Sequence, residues 1–355
     1  MEQSYEEKLW QDMAFVKVEF PKNKIKEAGR AVTKSDFSKI SEPDAYKIIN
    51  NWRAAHSYPM QVFYMNCRRK AAKINAIAVE RLKRMESIID KLEREENMSL
   101  LRMQDLGGCR IITNKITDIY ATIKDFKNSD IKHKLIKENN YIEKPKESGY
   151  RSIHMIYSYY SNKKSDYNGM FIEVQIRTAL QHLWATAVEV LSLYTKHNLK
   201  ASQGDARMLR FMELISALFS IEEHTQISSH VPPTVKGIID ELKNLEDTNV
   251  LELIGAIQMA LDNQFSGNEA GYYIFDMDFD KKKIQINFFG NDITKATAEY
   301  EKIESESKGK QRNAVLVSGS SIKTLRKAYP NYFADVTKFR KKVNLLLTKN
   351  NGFHT

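Results

Sequence analysis

The run from Met170 to Thr178 sets a carboxylate, an amide and a guanidinium two residues apart: Glu173, Gln175 and Arg177. Alternate side chains of an extended strand share a face, so these three form one polar row opposite the apolar Ile172, Val174 and Ile176. Such a row can hold a metal ion or position a nucleophile, although an ordinary solvated strand face looks the same. Segment 143–154 places Lys144, Lys146 and Arg151 around a Ser148-Gly149 turn, with Tyr150 and His154 close by. Its cations can meet phosphates and its tyrosine can stack on a base. A basic hairpin with a buried tyrosine is the plainer alternative.

Lys83, Ser87, Lys91 and Arg94 are spaced four, four and three. That spacing gives one stripe on a helix, with Arg81 one turn around. The stripe is either a solvated lysine face or a cradle of cations and a hydroxyl for polyphosphate. Asp105 opens the run Asp-Leu-Gly-Gly-Cys-Arg that ends at Arg110. A carboxylate at a strand start, with Gly107 and Gly108 allowing close approach, suits Mg²⁺ held by few protein ligands plus substrate phosphates.

Several elements must position these groups. Residues 68–96 contain no Gly or Pro, and Ile74, Ile77, Leu82, Met85, Ile89 and Leu92 recur at helical spacing, which predicts one amphipathic helix. Strands are expected at 109–114, 152–160 and 170–178, and helices at 116–126, 179–197, 205–222 and 233–264. Pro21, Pro43 and Pro59 read as breaks in a mixed N-terminal stretch. After the turn at 266–271 the pattern changes to a hairpin (272–289), a charged helix (292–308), a strand (313–318) and two short helices. The order predicts an α+β fold: a mixed sheet covered by helices, then a helical connector, then a small C-terminal α/β domain. The expected divisions are 1–66 (N-terminal helical), 67–200 (the domain carrying the chemistry), 201–265 (connector) and 266–355 (regulatory).

The chain has 355 residues, and 55 Lys plus Arg against 45 Asp plus Glu leave a formal charge of +10. With 28% charged and 42% hydrophobic residues a globular chain is expected rather than a disordered one, and with no run approaching 18 apolar residues an integral membrane protein is not expected. The basic excess fits a polyanionic partner but names none. Two cysteines, Cys67 and Cys109, cannot build a disulfide framework or a four-thiolate zinc site. The acidic start lacks the basic n-region of a signal peptide, so a cytoplasmic location is expected.

Five blocks in order resemble the synthetase domain of the RelA/SpoT family of nucleotide pyrophosphokinases. They are the cation stripe Arg81 to Arg94, the run Asp105 to Arg110, the segment Tyr141 to His154, the row Glu173 to Thr178, and Leu183 to Thr186. The resemblance implies a nucleotidyltransferase-like core that moves the β,γ-pyrophosphate of ATP to a 3′-hydroxyl. It further implies ATP contacts from Arg81, Lys83, Ser87, Lys91, Arg94 and Arg110, and Mg²⁺ on Asp105 and Glu173. Glu173 and Gln175 would stand near the attacking hydroxyl, Tyr150 would stack the acceptor base, and Lys146, Arg151, His154, Arg177 and His182 would line the acceptor side. His182 stands where some members have Asn, which bears on guanine recognition. No His-Asp hydrolase pattern precedes the synthetase blocks, so a short, synthesis-only member is expected.

The acceptor is either a nucleotide, giving (p)ppGpp or (p)ppApp, or the 3′-terminal adenosine of tRNA. The C-terminal pattern, with Tyr329 and Tyr332 as Y-x-x-Y, resembles the fused antitoxin domain of CapRel-type toxin–antitoxin proteins. That resemblance implies a toxin of anti-phage defence that modifies tRNA, is inhibited by those tyrosines at the ATP site and is released by a phage capsid protein. Packing of the tail's own core is the alternative role for the pair. No membrane partner is expected, and the oligomeric state stays open.

Overall fold

The computed structural model describes residues 15–195, 206–245, 269–278, 283–307, 312–319, 325 and 336–351. The first elements among the described residues are three helices: α1 (Lys22–Lys34), α2 (Glu42–Ala55) and α3 (Ser57–Lys73). Pro21 is the residue before α1, and Pro43 and Pro59 fall in the first turns of α2 and α3. First-turn amides have no intrahelical acceptor, so these prolines start helices instead of breaking them. Ser41 caps α2 by accepting from the Asp44 amide.

The single helix expected over 68–96 is three elements. α3 ends at Lys73, strand β1 covers Ile77–Leu82, and helix α4 covers Met85–Arg94. Asn75, in the left-handed region at φ 50°, turns the chain between α3 and β1. β1 has neighbours on both edges and is covered on both faces, so its sequence lacks the alternation that would separate it from a helix. Arg81 therefore lies on a strand and Lys83 just past it, and only Ser87, Lys91 and Arg94 share a helix.

The chain continues through β2 (Gly107–Thr113), α5 (Ile116–Lys127), β3 (Lys134–Asn140), β4 (Ile153–Ser158), β5 (Phe171–Thr178), α6 (Ala179–Thr195), α7 (Ala206–Glu222) and α8 (Val235–Asn244). β6 (Gly271–Asp278), β7 (Lys283–Phe288), α9 (Ile293–Ser307), β8 (Arg312–Gly319) and α10 (Thr337–Asn351) follow. β3 was not anticipated. It is an edge strand with mostly exposed, polar residues, so no apolar face marks it.

All described strands form one mixed sheet in the order β3-β4-β5-β2-β1-β8-β6-β7. β2 and β5 run parallel, and the other pairings are antiparallel. The C-terminal strands join this sheet through β8, where Ser318 stands opposite Glu80 and Val317 opposite Arg81. At that seam Ser318 Oγ donates to Oε1 of the buried Glu80 carboxyl group at 2.6 Å. Helices cover both faces. α1 to α5 pack on one apolar layer with Ile111, Met155, Ile172 and Val174. α6, α7, α8 and α10 pack on the other with Val79, Ile112, Phe219 and Phe339. α9 closes a third cluster with Tyr272, Ile274 and Leu316. No helix among the described residues is long and apolar enough to cross a membrane.

Candidate active site

The polar row of β5 faces the side opposite Ile172, Val174 and Ile176, which are fully buried. Strand register then decides what stands beside each member. Gly108 of β2 lies opposite both Glu173 and Arg81, so the position between an acid and a cation has no side chain. Arg110 and His154 both lie opposite Gln175, one on β2 and the other on β4. A cleft opens over this patch, lined by Arg81, Lys83, Asp105, Gly108, Cys109, Arg110, Glu173 and Gln175.

The side chains form two connected groups. On one flank Asp105 receives Lys83 Nζ at 2.7 Å on Oδ2 and Lys91 Nζ at 3.0 Å on Oδ1. Burial pushes this carboxyl upward, but the two ammonium groups outweigh it and hold Asp105 well below the usual carboxylate range. On the other flank Arg110 Nε donates to Gln175 Oε1 at 3.3 Å, and Gln175 Nε2 donates to Glu173 Oε2 at 2.7 Å. His154 Nδ1 lies 2.8 Å from Glu173 Oε1, and its Nε2 lies 2.8 Å from the Tyr150 hydroxyl. Burial works against a charged ring, but Tyr150 and Glu173 overcome it and lift His154 to about 9. Glu173 is lowered in turn, since His154 outweighs both burial and the nearby charge of Asp105.

Asp105 and Glu173 thus line one cleft and sense each other's charge. Two hard carboxylates facing a cavity bordered by cations fit Mg²⁺ that takes its other ligands from phosphate and water. Among the described residues no group of three or more His, Cys, Asp or Glu could hold a metal on protein ligands alone.

The remaining candidates divide. Ser87 is half-buried on α4, and Arg94 is 41% exposed beside Glu95, at the far end of that helix. Lys146 is exposed, with its Nζ 4.8 Å from the Tyr141 ring centre and 5.5 Å from that of Tyr150. Tyr150 itself, 9% exposed, is buried against Trp184 and the α7 layer. Arg177 lies under α6, where its Nη2 meets His182 Nδ1 at 2.7 Å. Burial and the neighbouring Arg110 bring the Arg177 guanidinium down to about 9.

Arg151 does not join the cleft. It is 4% exposed and its guanidinium is spent on Ser216 Oγ at 3.2 Å and on the Gln226 carbonyl at 2.7 Å. Its expected place on the acceptor side is therefore replaced by a tether between the 143–151 loop and α7. Ser216, which the sequence did not single out, completes the tether by donating to the Gly149 carbonyl at 2.5 Å. A serine inside an apolar helix was its only signal. Tyr329 and Tyr332 lie outside the described residues.

Acids, cations and an amide thus gather beside a parallel strand pair in a sheet covered by helices on both faces. Residues 80–198 match the family described as "Region found in RelA / SpoT proteins". GTP pyrophosphokinase YjbM of Bacillus subtilis (strain 168) is 30% identical over 153 residues, covering 42% of this chain and 71% of that protein. GTP pyrophosphokinase YwaC of the same organism is 35% identical over 112 residues, 30% of this chain and 52% of YwaC, so about half of YwaC's length is spanned. Among solved structures, small alarmone synthetase 2 from Bacillus subtilis aligns with a TM-score of 0.41 at 22% identity, over 51% of this chain and 95% of that one. The chain belongs to the RelA/SpoT family.

Proposed function

We propose that the protein is an ATP-dependent pyrophosphokinase of the small alarmone synthetase kind, with GDP or GTP as acceptor and a (p)ppGpp-like product. The observation that carries this reading is the single cleft on which Asp105, Glu173, Gln175 and the cations Arg81, Lys83 and Arg110 converge. Its support beyond the chain is that both curated relatives are named GTP pyrophosphokinases.

The 3′-hydroxyl attacks the β-phosphorus of ATP, the bond between the α,β-bridging oxygen and that phosphorus breaks, and AMP leaves. Alignment and charge neutralisation supply most of the acceleration in such a transfer. Arg81, Lys83, Lys91 and Arg110 meet the donor phosphates, which compete with Asp105 for the two ammonium groups. Ser87 and Arg94 extend the same donor flank along α4. Bound on Asp105 and Glu173, Mg²⁺ would supply positive charge to the transferring group. Gln175, held between Arg110 and Glu173, orients the hydroxyl, and Glu173 is the carboxylate in place to draw off its proton. Tyr150, Lys146 and His154 serve the acceptor, with Arg177 and His182 behind them.

A second reading makes the 3′-terminal adenosine of tRNA the acceptor and a translation block the outcome. Exposed cations outside the cleft favour it: Lys132, Lys134, Lys144, Lys163 and Lys164 could follow an RNA backbone. In that reading the C-terminal segment is a built-in inhibitor, Tyr329 and Tyr332 close the ATP site, and a phage capsid protein releases them. The pairing of Val317 with Arg81 supports it by bringing β8 beside the donor flank.

The test is transfer from ATP labelled in its β-phosphate, with Mg²⁺ and with GDP, GTP or bulk tRNA. Label in the guanosine nucleotide supports the first reading, and label in tRNA replaces it with the second. Label in neither, with both the wild type and Tyr332→Ala, would remove the pyrophosphokinase assignment.

A further inference from the structure

The N-terminus of α4 takes its cap from a residue 219 positions away. Arg84, the residue before the helix, makes no side-chain cap bond. Instead the Met85 amide donates to Glu304 Oε1 of α9 at 3.2 Å. Tyr300, one turn earlier on α9, donates its hydroxyl to the same oxygen at 2.5 Å. The other oxygen, Oε2, accepts from Arg53 Nη1 of α2 at 2.8 Å. Arg53 is 1% exposed and stacks over the Tyr300 ring at 4.6 Å, so the Glu304 carboxylate is fixed from two sides.

We propose that Glu304 is a positioning residue for the donor flank of the cleft. By capping α4 it fixes the helix that presents Lys91 to Asp105. α4 has only ten residues, too few to be stable without outside support. Its first amides point out of the helix with no internal acceptor, and the helix dipole makes a carboxylate favourable there. Lys91 sits less than two turns from Met85, so fraying of the first turn displaces the ammonium group from the Asp105 carboxylate. The C-terminal segment then contributes to donor binding, and its departure weakens the donor site instead of only uncovering it. The effect on donor binding rests on the pyrophosphokinase reading, whereas the cap does not.

The experiment compares the full chain with Glu304→Ala and with Arg53→Met. Arg53→Met removes the buried cation but leaves Met85 and Tyr300 bonded to Glu304. Two readouts are taken: amide hydrogen exchange over residues 85–88, and binding of the α,β-methylene analogue of ATP. Glu304→Ala is expected to speed exchange and weaken analogue binding, each by about tenfold, the size of a lost helix cap. Arg53→Met is expected to keep both close to wild type even where its thermal midpoint falls. If Glu304→Ala cannot be purified folded, the double variant Glu304→Ala/Arg53→Met takes its place, since it no longer strands a buried charge. Equal effects of Arg53→Met and the Glu304 variant on both readouts, or wild-type exchange in the Glu304 variant, would overturn the proposal. An absence of analogue binding in the wild type would defeat the pyrophosphokinase reading, while the exchange comparison would still decide the role of Glu304.

Discussion

Lys91 Nζ lies 3.0 Å from Asp105 Oδ1, which ties helix α4 to the loop leading into β2 at the cleft. Lys83 takes the other oxygen of the same carboxylate. The three side chains are only about a fifth exposed, so the pairing is less screened than a surface ion pair. One acid shared by two cations leaves a net positive charge, which favours an anion arriving from solvent.

Asp105→Asn and Glu173→Gln should each lower pyrophosphate transfer by at least about a hundredfold, the scale of a lost charge-stabilising group. Both substitutions keep the shape of the side chain, so near-UV circular dichroism should stay native. Activity within about fivefold of wild type in either variant would take that residue out of the proposed metal site.

Gly149→Ala tests the acceptor loop. Gly149 has φ +85°, and a Cβ there would stand 2.8 Å from the Ser216 Cβ. Strain and clash together should cost about 1–3 kcal/mol and push the loop off α7. The expected signature is a raised KM for the acceptor with an unchanged KM for ATP, read from initial rates. An equal rise in both constants would mean that the loop does not act on the acceptor alone.

Glu80 gives a pH prediction for stability. Burial pushes its carboxyl up to about 8, against the opposing pull of its Ser318 hydrogen bond. The unfolded chain therefore releases this proton at a lower pH than the folded one. Its contribution is fully present below the unfolded value and is lost as pH rises toward 8. Glu80→Gln, which mimics the neutral acid, should flatten that loss. Its thermal midpoint should exceed wild type at pH 8 and approach it at pH 5, measured by calorimetry. Parallel pH profiles for the two proteins would contradict the assignment.

The tail supplies a sharper contrast between the two acceptor readings. If the C-terminal segment inhibits through its tyrosines, Tyr332→Ala should raise basal transfer and arrest growth on expression, without any trigger. Unchanged growth at normal expression counts against the inhibitor.

The β5 row was legible because a half-covered strand keeps its period of two, and Glu173, Gln175 and Arg177 do share a face. The run from Asp105 to Arg110 was legible through its glycines. The stripe from Arg81 to Arg94 was not, because β1 is covered on both faces and shows no alternation. Arg81, Lys83 and Lys91 still converge, from a strand, a loop and a helix, with Asp105 gathering the two lysines, whereas Arg94 stays at the far end of α4. The tether of Arg151 to Ser216 and the cap of Met85 by Glu304 were invisible for another reason. Each joins residues far apart in sequence, and neither member carries a local pattern. The antiparallel seam of Glu80 with Ser318 is of the same kind, with nothing in either strand to name its partner.

The most direct measurement is the identity of the products. The protein would be incubated with ATP, Mg²⁺ and GTP, and the mixture followed by phosphorus NMR and mass spectrometry. AMP and a guanosine nucleotide carrying two additional phosphates on its 3′-oxygen are expected in equal amounts, both reduced by at least about a hundredfold with Asp105→Asn. Formation of ADP with a singly phosphorylated acceptor, or of ADP and free phosphate alone, would contradict the pyrophosphokinase reading.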